Sequence, residues 1–268
     1  MITAKMVSEL REKSGAGMMD CKRALDAANG DMELAMENLR KSGIAKAEKK
    51  AGRSTNQGKV WTKIVDGKAA IVELLCETDF AAKTPKFGQL VDEVLTAALD
   101  QAEGDVSAAL NEAVAATLTS HIATIGENMQ LRRACKWNGS ANSKFHGYHH
   151  MDGRVSVLVE VEGDASDEVM NDICLHVAAF NPKYNTPADI PAEVIAKEKE
   201  IAAEADPKLK GKPAEMLEKI LAGKINRFYS EVCLVNQPWV KDDKSTFAKL
   251  YPQLTVKRFV RWEVGEEL

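Results

Sequence analysis

Signatures of catalysis are absent from this chain of 268 residues: there is no GxxxxGK[ST] phosphate loop, no GxGxxG after a strand, no HExxH and no GxSxG. No apolar run approaches the ~18 residues of a membrane span, and the amino terminus has no signal-peptide core. The five cysteines, Cys21, Cys76, Cys135, Cys174 and Cys233, are odd in number and far apart, with no CxxC pair. Most lie in apolar runs, which predicts small buried hydrophobes in a reducing compartment rather than a disulfide framework. Charge of one sign is also scarce, because 36 basic and 40 acidic residues are spread along the chain, for a formal charge of −4. A nucleic-acid-binding face would instead show clustered basic residues interleaved with aromatics. The absences together predict a soluble cytoplasmic protein with no direct nucleic-acid contact and no membrane association.

What is present is enough apolar residue, 45% of the chain, to bury a good core, and a length that suggests two globular units. Residues 1–43 read as a compact three-helix domain. Thr3 can cap a helix carrying Met6, Val7 and Leu10, which Ser14-Gly15-Ala16-Gly17 breaks. A second helix carries Met18, Cys21, Leu25 and Ala28 and stops at Asn29-Gly30. Asp31 can cap a third, with Leu34, Ala35, Met36 and Leu39 inside and Gly43 after it. Residues 44–57 read as a basic linker, with Lys46, Lys49, Lys50 and Arg53, whose first residues can continue helically.

Residues 58–138 read as a first core subdomain of sheet plus helices. Asp66-Gly67-Lys68 is a hairpin turn between two apolar strands, and helices follow near Phe87 and Val106. Residues 139–187 begin a second subdomain of like design, where Asp152-Gly153-Arg154-Val155 echoes Asp66-Gly67-Lys68-Ala69 and leads again into an apolar helix. Residues 188–229 predict an antiparallel helical hairpin turned by Asp206-Pro207-Lys208-Leu209-Lys210-Gly211. Residues 230–268 complete the second subdomain, their alternating run from Leu254 to Val264 returning as a strand of its sheet. The fold class is α+β.

Two segments invite chemistry. In Glu77-Thr78-Asp79-Phe80-Ala81-Ala82-Lys83 the chain has left the apolar strand ending at Cys76, and helical periodicity resumes only at Phe87, Leu90, Val91, Val94 and Leu95. Phe80 therefore sits in a connection, either folded back as a plug or presented to a partner, and the burial habits of large apolar side chains favour the plug. Asp79 reads as an N-cap for the turn that follows. As a general base it would have only Glu77 and Lys83 for company. The other segment is His146-Gly147-Tyr148-His149-His150 with Asp152, in which His146, His150 and Asp152 share a strand parity that could serve a metal. His121 and His176 lie in helical runs as partly buried packing residues. Met18 fits the apolar stripe of its helix, whereas Met19 falls off it as an exposed, adaptable contact.

The run Val7-Ser8-Glu9-Leu10-Arg11-Glu12-Lys13-Ser14-Gly15-Ala16-Gly17-Met18-Met19-Asp20-Cys21-Lys22-Arg23-Ala24-Leu25 and the run Glu77-Thr78-Asp79-Phe80 resemble, in order, two signatures of the elongation factor Ts family. Ile125-Gly126-Glu127-Asn128, His150 ahead of Gly153-Arg154-Val155, Gly211-Lys212-Pro213, Gln237-Pro238 and Arg261-Trp262-Glu263-Val264-Gly265-Glu266 extend the resemblance over nearly the whole chain. The chain departs from the family pattern at Ala81, where Val is common, and at Met151, where Gly usually follows the histidine.

The resemblance implies a guanine-nucleotide exchange factor for elongation factor Tu, bound in its GDP and nucleotide-free forms. Such a factor is not an enzyme and carries no cofactor. Thr78, Asp79, Phe80 and Ala81 would form the loop that disturbs the partner's magnesium site. The amino-terminal unit, similar to ubiquitin-associated domains, would dock through Leu10, Arg11, Gly15, Met18 and Met19, and His150 would reach a further domain of the partner. The helical hairpin would serve homodimerisation or further contacts. Two other classes stay open on the residues themselves: a chaperone-like or ubiquitin-type binding module acting through the first three helices, and a metal-dependent enzyme built on His146, His150 and Asp152.

Overall fold

The structure, a computed structural model, describes residues 2–205 and 213–268. It divides into two compact units. The first comprises the chain up to Asn138 together with His149–Ser156 and Trp262–Leu268, and the second comprises Gly139–Tyr148 and Val157–Arg261.

The first unit opens with α1 (Ala4–Ser14), α2 (Met18–Ala27) and α3 (Met32–Glu48). Thr3 Oγ1 accepts the Met6 N–H at 3.3 Å, and the Asp31 carboxylate accepts the N–H groups of Glu33 at 2.9 Å and Leu34 at 3.0 Å. Both expected caps thus satisfy first-turn donors that have no partner within their helices. Val7, Leu10, Cys21, Leu25 and Ala35 form the shared core. Two expectations fail here. Leu34 is exposed, and Gly43 does not end the third helix, which runs on to Glu48 and into the basic segment.

After the basic segment come β1 (Gln57–Val65), β2 (Lys68–Cys76), α4 (Asp79–Ala82), α5 (Pro85–Leu99), β3 (Gly104–Asp105), α6 (Ser107–Ile125) and β4 (Met129–Asn138). The strands form one antiparallel sheet in the order β1-β2-β4-β3. Asp66 and Gly67 both take positive φ, 49° and 72°, as a two-residue hairpin between right-twisted strands requires. Ala70, Val72, Leu74 and Cys76 of β2 meet Phe87, Leu90, Val94 and Leu95 of α5 and Leu110, Val114 and Leu118 of α6 in the main core. The same period-2 face of the strand and the same stripe of each helix supply these contacts, so patterning alone orients them.

Next in the chain come β5 (Ser143–His150), β6 (Val155–Glu162), α7 (Asp167–Phe180), α8 (Ala192–Glu204), α9 (Ala214–Val232), β7 (Pro238–Trp239), β8 (Asp242–Thr246), α10 (Phe247–Leu250) and β9 (Thr255–Glu263), which make up the second unit except for residues 149–150 of β5, 155–156 of β6 and 262–263 of β9. Its main sheet has the order β5-β6-β9, so the closing run returns as a strand of the second sheet. The connection between β5 and β6 is too short for a parallel crossover, so that pair is a second hairpin, again followed by a helix. Val157, Val159, Met170, Ile173, Trp239, Phe247 and Val256 are its core. α8 packs with α9 and buries no residue of its own. The Asp206 to Gly211 turn expected between them lies outside the described residues. Four of the five cysteines are buried and Cys135 is half-buried. Among the described residues no helix is long and apolar enough to cross a membrane.

Candidate functional site

The chain leaves β2 at Cys76 and makes a single helical turn, α4. The cap of that turn is Thr78 and not Asp79: extended at φ −127°, it accepts the Ala81 N–H on its Oγ1 at 3.2 Å. At the other end Thr84 donates its hydroxyl to the Ala81 carbonyl at 2.8 Å while accepting the Phe87 N–H at 3.2 Å. Two threonines therefore pin one turn. Ala81 and Ala82 face inward and are buried, which forces Phe80 outward, where its side chain is 80% exposed. The plug expected from burial habits is overturned, because the inward positions of so short a turn are taken by the two alanines. Asp79 pairs with Lys83 at 2.7 Å, and this hydrogen bond holds its carboxyl below the usual carboxylate range.

Behind the turn stands the loop that follows α6. Gly126, left-handed at φ 93°, ends that helix and turns Glu127 and Asn128 toward the start of the Thr78 turn. The Glu127 carboxylate accepts the Thr78 N–H at 3.0 Å and the Thr78 hydroxyl at 2.6 Å. In return, Glu77 accepts the Asn128 N–H at 2.6 Å. Asn128 also donates its side-chain amide to the Arg53 carbonyl at 2.8 Å, which ties the basic segment to the same place. Beneath it Cys76 donates its thiol to the Thr78 carbonyl at 3.2 Å. Burial, with the nearby Glu127 charge, pushes that thiol up to about 12, so it remains a neutral donor. None of these partners of Thr78 was foreseen. Glu127 lies 49 residues away in the chain, and only its place in a run resembling the family pattern marked it.

The second hairpin turn belongs to the same unit. His149 stacks on Trp61 with ring centroids 3.8 Å apart and planes 3° from parallel, and its Nδ1 lies 2.9 Å from the Ser156 hydroxyl. The Gly153 carbonyl accepts the Val60 N–H at 2.8 Å. A Cβ on Gly153 would stand 2.8 Å from the Trp61 ring, and φ there is +85°, so only glycine fits. This fastening carries Met151, 68% exposed, to the rim of a groove of about 590 Å³ that Phe80, Lys83, Lys59 and Arg154 also line.

The metal reading of His146, His150 and Asp152 finds no support in the geometry. Asp152 is bound to Lys59 at 2.9 Å, and the His146 carbonyl accepts the Cys174 thiol at 3.6 Å in the other unit. Among the described residues no three His, Cys, Asp or Glu side chains are grouped to hold a metal ion.

Of the residues expected to meet a partner, Arg11, Gly15, Met18, Met19 and His150 are exposed. Met18 at 51% corrects its assignment to the apolar stripe. Leu10 is fully buried among the three helices, so its side chain is core and does not reach the surface. The Gly15 carbonyl accepts Lys86 Nζ at 3.2 Å, which fixes the break between α1 and α2 beside the start of α5.

A family model described as Elongation factor TS matches residues 77–266, opening on the first residue of this site. The chain belongs to the elongation factor Ts family. It is 45% identical over 274 residues to Elongation factor Ts of Thioalkalivibrio sulfidiphilus, covering 99% of this chain and 92% of that protein. Elongation factor Ts of Symbiobacterium thermophilum is 43% identical with the same coverage. That of Protochlamydia amoebophila is 39% identical over 99% of both chains. The family assignment therefore covers both units, including the clasped Thr78 turn and the second hairpin.

Proposed function

We propose that this member of the elongation factor Ts family is a guanine-nucleotide exchange factor for elongation factor Tu, and that Phe80 is the group it drives into its partner. The observation that carries the reading is a large ring held 80% exposed on a turn fixed at both ends. An apolar ring in water gains by burial in another surface. Wedged beside a bound magnesium ion, it would displace the side chains that position the metal. The ion is the largest local charge opposing the phosphates, so its loss speeds release of GDP. No bond is made or broken.

The cycle follows from linkage. A factor that binds the nucleotide-free partner more tightly than the nucleotide-bound one weakens nucleotide affinity by the same ratio. GTP reloads because it is abundant, and in doing so it displaces the factor. In this reading the helices α1 to α3 form the docking domain, with Arg11, Gly15, Met18 and Met19 at its contact. His150 meets the partner from the second hairpin, and the helices α8 and α9 serve self-association or a further contact.

Release of labelled GDP from elongation factor Tu tests the proposal. Wild type should accelerate it, and Phe80→Ala should slow the accelerated rate by tenfold or more, a loss of about 1.4 kcal/mol or greater. Since the ring is exposed, unfolding stability should move by no more than about 0.5 kcal/mol. Loss of several kcal/mol of stability, with exchange following only the folded fraction, would restore the plug.

A further inference from the structure

The turn that presents Phe80 cannot hold itself. α4 is four residues long, and an isolated helix so short is not stable in water. Comparison with its neighbour is instructive. Thr84 caps α5 without a carboxylate behind it, and that helix is secured by an apolar face that includes Phe87, Leu90 and Val94. Thr78 caps a turn with only Ala81 and Ala82 to bury, and behind it stands Glu127. By accepting the hydroxyl hydrogen bond, Glu127 turns the lone pairs of the Thr78 oxygen toward the Ala81 N–H, so one carboxylate both anchors the backbone and orients the cap. Charge-assisted bonds of this kind are about twice as strong as neutral ones. The reciprocal bond from the Asn128 N–H to Glu77 closes a clasp across the two chain segments.

We propose that Glu127 is a positioning residue for nucleotide exchange: its carboxylate, bonded to both the N–H and the hydroxyl of Thr78, holds rigid the turn from which Phe80 projects. The inference rests on the exchange reading of Phe80. A ring that wobbles before contact must be ordered at the barrier, so losing the clasp slows the step the ring performs while leaving docking through Met18 and Met19 intact.

The test uses the full chain and labelled-GDP release from elongation factor Tu over a range of factor concentrations. Glu127→Ala is expected to lower the limiting rate about tenfold and to change the half-saturating concentration by less than about twofold. Glu127→Gln, which keeps an oxygen for the Thr78 N–H, should recover much of the rate. Thr78→Val should match Glu127→Ala, and the double variant should be no worse than either alone, as for two halves of one interaction. A wild-type limiting rate in well-folded Glu127→Ala overturns the inference, as does a defect confined to the half-saturating concentration. Should Glu127→Ala not fold, Thr78→Val decides, and an unchanged limiting rate there overturns it. Phe80→Ala run alongside separates the two failures: if it exchanges normally the reading of Phe80 falls and Glu127 with it, whereas if it alone is slow only the role of Glu127 falls.

Discussion

His176 is fully buried in the second unit, stacked between Phe180 at 4.8 Å and Trp239 at 4.9 Å. Its Nε2 is 3.0 Å from the Gln237 side-chain oxygen, which assigns the proton to that nitrogen. Gln237 in turn donates to the carbonyls of Glu231, at 2.9 Å, and Phe180, at 3.4 Å, so its orientation is determined. Nδ1 is buried without a partner, and a second proton there would be an unsatisfied charge among rings. Burial accordingly lowers the pKa of this histidine. With the folded value depressed, the unfolded chain takes up its proton first as pH falls. The contribution of His176 is fully present above about 6.5, the ordinary value, and erodes below it until the folded value is reached. Urea midpoints at pH 7.5 and 5.5 should therefore fall further in wild type than in His176→Phe; equal falls would show that another group is responsible. Sequence placed this histidine in a helix as a packing residue, but its partners come from chain segments that only folding assembles.

Among the elements, α3 departs furthest from local expectation. Glycine commonly closes a helix, yet Gly43 lies within one, because a backbone without a side chain is needed where α3 meets α6. A Cβ built there would stand 3.2 Å from the Ala123 Cβ. Gly43→Leu should consequently destabilise the first unit by about 1–3 kcal/mol despite the better helix propensity of leucine, as measured by urea unfolding. A gain in stability would mean that the helices can separate without cost. The same helix is tied to α2 by Lys46, which bonds Asp20 at 2.8 Å and, as the leading cause, holds that carboxyl below its usual range. α4 makes the complementary point. The sequence reads Asp79 as its cap, whereas Thr78 caps it, its hydroxyl held by Glu127, which no helix rule locates.

For the molecule as a whole, the central feature of the first unit is a buried charge. Glu73, in the inner strand β2, has no exposed side chain and takes Arg132 at 3.2 Å, Arg133 at 2.5 Å and the Gly265 N–H at 2.8 Å. Two consecutive arginines reach one carboxylate because β4 bulges opposite Glu73 and Leu74, breaking the alternation that would send them to opposite faces. Arg133 also bonds Glu266 at 2.6 Å and lies over the Trp262 ring at 4.4 Å, so the closing residues of the chain become part of the first unit. Glu73→Ala would leave the arginines without their buried counter-charge and release the Gly265 amide. It should cost about 3–5 kcal/mol in urea unfolding and speed hydrogen exchange at Gly265. Unchanged protection of that amide would show that the tail is held by other contacts. The sequence by itself determined the α+β class, the longer helices and strands and the two β-hairpin turns, because periodicity, caps and left-handed glycines act over a few residues, while the short elements β3, α4, β7, β8 and α10 carry too few residues to show a period. Tertiary structure alone decided that Phe80 faces water, that Glu127 clasps Thr78, that Leu10 is core and Met18 surface, and that the last residues return to Glu73. Each of these depends on groups far apart in the chain, whose meeting is set by packing and the desolvation of charge rather than by local pattern.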